Sequence, residues 1–154
     1  MVNIHRYYDV RTFLIYIDSY DNNIPVGRLY NPHFDEKYKF ESLTQLLLKI
    51  EQSLDVENMP QASQQVRTFC PSSIIRINSW EESYSDSGKL ATFDIEVLFR
   101  RNASWQGSIM WLEEGKKQNF RSVLELIVLI NSALENKKNQ TWMNNEEVYD
   151  KAAD

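Results

Sequence analysis

The residues best equipped for chemistry lie in Arg100-Arg101-Asn102-Ala103-Ser104-Trp105-Gln106-Gly107. This stretch holds two guanidinium groups, a hydroxyl, an amide and an indole. Such groups bind rather than react. A guanidinium is a rigid fork of donors for carboxylate or phosphate, and an indole is a large, flat apolar surface. Trp111 follows closely. Arg100, Arg101, Trp105, Gln106 and Trp111 are therefore the candidate binding set. Trp and Arg dominate protein-binding hot spots, so an exposed hairpin carrying them suits a protein partner. The same set could stack a base. The alternative is thus a small-ligand, nucleotide or single-stranded nucleic-acid site in this hairpin.

Bond-breaking chemistry has no comparable candidate. The chain has no phosphate-binding P-loop, no dinucleotide glycine pattern and no nucleophile elbow. His5 and His33 are its only histidines, and neither has a second ligand at metal spacing. The acidic pairs Asp35-Glu36, Glu81-Glu82, Glu113-Glu114 and Glu146-Glu147 are neighbours in turn-like or terminal segments. A general acid–base pair would need carboxylates converging from separate elements. The expectation is a non-enzymatic protein with no metal and no cofactor.

Asn102-x-Ser104-x-x-Gly107, placed after Arg100-Arg101, resembles the second signature of PilZ domains. That signature contacts cyclic di-GMP in the family, so the resemblance implies a cyclic dinucleotide at this turn, followed by a strand at Ser108–Trp111. The resemblance covers six residues. The family's other signature, R-x-x-x-R upstream, has no counterpart, since Arg67 and Arg76 stand at the wrong spacing. PilZ domains are also six-stranded barrels, which the patterning below does not predict.

The elements that position these residues occur twice. Sliding the chain by 80 positions lays Phe13–Asp55 on Phe93–Glu135 without a gap and gives ten identities. They include Asn22 with Asn102, Gly27 with Gly107, Ser42 with Ser122 and Leu46 with Leu126. Composition alone would give about two or three, so this is an internal repeat. Each copy opens with period-two alternation: Phe13, Ile15 and Ile17 share a face, as do Phe93, Ile95, Val97 and Phe99. A turn and a returning strand follow, at Val26–Asn31 and Gln106–Glu113. Pro32–Lys39 and Glu114–Lys117 read as polar connections. Ser42-x-x-Gln45 and Ser122-x-x-Glu125 then have capping-box spacing and open two helices.

The predicted fold is α+β. Two tandem ββα repeats (13–55 and 93–135) form one antiparallel sheet with both helices on the same face, related by a pseudo-two-fold axis. An extra strand is expected near 73–80, a further short one at 65–69, and a seam at 81–88. The layout resembles PUR-type repeats and RNA-binding sheet domains. That likeness implies that nucleic acid would lie on the sheet face opposite the helices, where Asp94 and Glu96 would repel phosphates. At the turns, Asn22 and Asn102 suit positive φ, and Gly27 and Gly107 suit a bulge or a close backbone approach.

The second helix is apolar on two sides. Val123, Ile127, Ile130 and Leu134 form its core stripe, while Leu124, Val128 and Leu129 lie off it. A helix of this kind needs cover on two sides. The cover is the first helix, the C-terminal tail or a second subunit, so these three residues are the candidate interface of a homodimer.

Composition sets the remaining bounds. The 154 residues make one domain, 1–154, with a charged tail at 137–154 that has a weak helical signal over Asn144–Ala152 and is expected to be partly ordered at best unless Trp142 docks. Net charge is −5, which argues against bulk binding of nucleic acid or anionic membrane. Cys70 is the only cysteine and reads as an inert thiol in a reducing cytoplasm. The N-terminus has no signal-peptide core, and no apolar run is long enough to span a bilayer. Abundant Asn, Ile, Lys and Tyr point to an AT-rich bacterial genome. The expected function is a protein-binding or regulatory module: an adaptor, an inhibitor or a self-associating protein.

Overall fold

The computed structural model describes residues 9–70, 78–79 and 87–152. Strand β1 (Thr12–Asp21) and strand β5 (Ala91–Phe99) carry the strongest alternation, and they pair antiparallel at the sheet centre. Phe13 lies opposite Ile95, Ile15 opposite Phe93, and Ile17 opposite Ala91. Strands β2 (Ile24–Asn31) and β3 (Glu36–Phe40) extend the sheet from β1. A two-residue strand, β4 (Asn78–Ser79), pairs with Tyr38 and Lys39 at that edge. On the other side β5 is followed by β6 (Gln106–Trp111) and β7 (Lys116–Phe120). The order is β4-β3-β2-β1-β5-β6-β7, with every pairing antiparallel.

Two helices complete this α+β fold, α1 (Leu43–Glu57) and α2 (Val123–Ala152). Phe13, Ile15, Phe93 and Ile95 share one hydrophobic cluster with Leu46, Ile50 and Leu54 of α1 and Leu126, Ile130 and Leu134 of α2. Both helices therefore lie on the sheet face that bears these strand residues.

Each helix is preceded by three strands, not two. Glu36–Phe40 and Lys116–Phe120 were expected as polar connection and turn. Each is a short strand with a single buried residue, Phe40 or Phe120. Lysines and polar amides on an outer strand suppress the alternation that marks a core strand, and they also blunt the edge against further pairing.

Turn chemistry follows the residue types. Asn22 and Asn23 have φ of 51° and 60°, and Asn102 and Ala103 have 57° and 53°. This left-handed pair gives the twist that a tight hairpin requires. Both hairpins carry a bulge, between Ile17 and Ser19 and between Val97 and Phe99. Opposite each bulge stands a glycine. A Cβ on Gly27 would lie 1.8 Å from the Tyr16 carbonyl oxygen, and one on Gly107 would lie 1.9 Å from that of Glu96.

Both caps form, shifted by one residue from the simple box. Ser42 Oγ accepts from Gln45 N while Gln45 Oε1 accepts from the N–H of Glu41. Ser122 Oγ accepts from Glu125 N while Glu125 Oε1 accepts from the N–H of Arg121. Helix α1 ends at Asn58 in a left-handed C-cap.

Three further expectations meet the structure differently. Residues 65–69 are exposed and form no strand. Of the span 73–80, only Asn78–Ser79 is strand, and most of the rest lies outside the described residues, as do 81–86 of the expected seam. The tail is not loose: α2 continues without a break through it to Ala152. Among the described residues no helix is long and apolar enough to cross a membrane.

Candidate functional site

Arg100 sits just past β5, where the bulge turns the chain toward the helices. Its side chain is only 2% exposed. Nε donates to the Pro60 carbonyl at 2.7 Å, and Nη1 donates to Asp55 at 2.6 Å and to Glu51 at 3.2 Å. A buried guanidinium is tolerated when acceptors surround it in this way. Nη2 has no hydrogen-bond partner among the described residues. The Arg100 carbonyl accepts from Ser63 N at 3.0 Å, which holds the loop after α1 against the hairpin.

Trp105 joins the same cluster. It is 4% exposed, and its indole N–H donates to the second oxygen of Glu51. The expectation of an exposed hot spot is therefore corrected for these two residues. Arg100 and Trp105 are turned inward and clamp the second hairpin to α1, and Trp105 offers no open ring face for a base. Glu51 and Asp55 complete the cluster. No local signal marks them, because they lie 54 and 45 positions from their partners.

Arg101 and Gln106 remain nearer the surface. Gln106 closes the turn with a reciprocal pair of bonds: its side chain accepts from Arg101 N and donates to Arg101 O, both at 2.9 Å. The Arg101 guanidinium lies 4.4 Å over the ring of Phe99, which is itself exposed. Phe99 and Arg101 are thus the outward part of this hairpin.

The residues of the short PilZ-like signature each have a structural task. Asn102 supplies positive φ, Gly107 permits the close strand approach, and Ser104 Oγ accepts from Val123 N at 2.9 Å. Ser104 thereby satisfies a free N–H in the first turn of α2. An open sheet carries this signature, in place of the barrel of PilZ domains.

Trp111 belongs to the core cluster and is 9% exposed. Its ring lies 6.3 Å from that of Phe93. Its indole N–H has no acceptor among the described residues, and Lys116 Nζ stands 5.8 Å from the ring centre.

The candidate interface residues divide. Leu129 is half-buried and packs on the core cluster. Leu124 is 70% exposed and Val128 57% exposed, and Leu48 of α1 is 47% exposed. Leu47, Leu48, Val66, Trp105 and Val123 line a small hollow of ≈ 160 Å³ beside them.

The sheet face opposite the helices is partly covered. Tyr16 and Arg28 there are buried. Arg28 binds Asp18 through Nε at 2.9 Å and Nη2 at 3.1 Å, donates to the Ser87 carbonyl, and lies 5.0 Å over the Tyr16 ring. Asp94 and Glu96 are half-buried on that face. Cys70 is exposed, unlike the buried apolar thiol its type suggests. Among the described residues no group of three His, Cys, Asp or Glu side chains could hold a metal ion. Comparison with known proteins finds no matching family model, no matching curated protein and no matching solved structure.

Proposed function

We propose that the chain is a non-enzymatic protein-binding module, built by internal duplication, that acts through the outer face of its helical layer. The observation that carries this reading is the exposure of Leu124 and Val128 on α2 and of Leu48 on α1. Large apolar side chains grouped on a helix face mark contact surfaces. The duplication rests on the ten identities at an offset of 80 and on paired devices at that offset: the hairpin bulges, Gly27 and Gly107, and the Ser42 and Ser122 caps.

The partner that best fits this face is a second copy of the chain. Leu48 and Val128 stand 80 positions apart, at matching places in the repeat, and an apolar patch on this face could meet its own copy across a two-fold axis. An isologous dimer needs a patch of that kind. A regulatory role in the cytoplasm suits a module with this surface.

Light scattering of the full chain tests the reading. The expected mass is twice the 18.2 kDa of one chain. Leu124→Glu and Val128→Glu are expected to return it to the monomer with the fold intact. A wild-type chain that stays monomeric at the highest soluble concentration would sink self-association.

A further inference from the structure

On the helix-bearing side of the sheet, β6, β7 and α2 enclose a cleft of ≈ 470 Å³. That is the size of a small-molecule site. Its floor is Trp111 and Phe93. Lys116 and Gln118 come from β7, and Ala133 and Asn136 from α2.

The reason for the opening is visible in the first half of the sheet. Gln118 pairs with Ile109 in the register by which Tyr38 pairs with Leu29. Tyr38 lays its ring against the core, under Lys49 Nζ at 4.0 Å. The second half has exposed Gln118 at that place, Leu129 where Lys49 stands, and Ala133 where Ser53 stands. A phenol ring drawn from the chain itself thus fills the first position, and an apolar cleft of ring width occupies the second. The charge beside it is reversed as well. Glu36, two residues before Tyr38 on β3, corresponds in register to Lys116. Among the described residues no Asp or Glu lines the cleft.

We propose that this cleft is a binding site for a small aromatic carboxylate. The ring lies against Trp111 and Ala133, in the place equivalent to the Tyr38 ring, and the carboxylate meets the Lys116 ammonium. Asn136 and Gln118 supply amide donors at the mouth. The site is separate from the helix face proposed for self-association, and neither depends on the other.

The test uses 4-hydroxyphenylacetate and its neutral methyl ester as probes, with the full chain labelled for proton–nitrogen correlation spectra. The chain has four tryptophans, and the Trp111 indole signal is the one lost in Trp111→Phe. The acid is expected to shift that signal saturably. Removing the charge pair, by Lys116→Gln or by use of the ester, is expected to weaken binding about tenfold. Gln118→Tyr should fill the cleft from within and abolish the shift while leaving the unfolding midpoint at or above that of the wild type. Ala133→Leu blocks the cleft from α2 and should abolish the shift independently. No saturable shift at millimolar acid overturns the proposal. So does equal binding of acid and ester, or a shift that survives both blocking variants.

Discussion

Trp105, in the second hairpin, donates its indole N–H to Glu51 of α1, and the reverse contact exists at the other end of the helical layer. There the hydroxyl of Tyr20, in the first hairpin, donates to Asn131 of α2. Tyr20 and Arg100 stand 80 positions apart, as do Glu51 and Asn131. Each hairpin thus holds the helix of the other half. Burial raises the Tyr20 phenol above its ordinary value, with Glu135 adding to the effect. A contact between halves that is polar and buried fixes one arrangement of two elements whose apolar surfaces alone would permit several.

The Arg100 cluster should therefore report on stability rather than on recognition. Arg100→Ala leaves Glu51 and Asp55 without their cation and frees the Pro60 carbonyl. Breaking a fully buried pair costs about 3–5 kcal/mol. Asp55 is 62% exposed and can recover water, so about 2–3 kcal/mol is expected here. Trp105→Phe keeps most of the ring and loses one bond, for about 1 kcal/mol. Urea unfolding of both variants checks the order.

The two hairpin glycines give a paired prediction. Gly27→Ala and Gly107→Ala each drive a Cβ into a backbone carbonyl of the neighbouring strand, at 1.8 and 1.9 Å. Neither carbonyl can move without breaking the central ladder, so each variant is expected to lose about 3 kcal/mol or more, beyond the usual range for overpacking. Gly115→Ala meets open space at φ +61° and should cost about 1 kcal/mol. Equal tolerance of all three in thermal melts would contradict this account.

How far the fold was legible depended on where each signal is stored. The β1 alternation, the β5 alternation as far as Val97, the left-handed Asn22 and Asn102, the close-approach glycines and the Ser caps are local, and sequence reading places them correctly; Phe99, read on the core face, is exposed because the bulge after Val97 shifts the register. Strands β3 and β7 were missed because each buries one Phe among charged or amide residues, so period-two alternation has nothing to alternate. The inward turn of Trp105 was not legible because its partner, Glu51, lies on another element. Past Glu135, α2 shows in the sequence only as a weak helical signal over Asn144–Ala152, because Asn, Lys and Gln dilute its apolar stripe. Leu129 reads as off the stripe at helical spacing. It packs on the core cluster all the same and lines the cleft beside Trp111.

Tyr38 predicts a pH effect. Burial first, and then its bond to Glu36, push its phenol up to about 12 from an ordinary value of 10. The folded chain thus favours the neutral phenol. The stability this contributes is complete below pH 10 and is lost as pH rises from there through about 12. Absorbance titration should show a tyrosine phase near pH 12 that Tyr38→Phe removes, and that variant should flatten the fall in unfolding midpoint across the same window. A Tyr38 that ionises with the exposed tyrosines would contradict the packing described.

Ser104 separates a structural from a ligand-binding use of the short signature it shares with PilZ domains. Its hydroxyl accepts from Val123 N, one of the first amides of α2. Ser122 serves Glu125 N in the same turn. Ser104→Ala removes one of these acceptors, and loss of a cap costs about 0.5–2 kcal/mol. Ser104→Thr keeps the acceptor and should retain most of that stability. If the signature served a cyclic dinucleotide instead, wild-type chain would be stabilised by cyclic di-GMP and Ser104→Ala would not be. The expected result is no shift in melting temperature for either chain with the nucleotide, and a lower midpoint for Ser104→Ala with or without it.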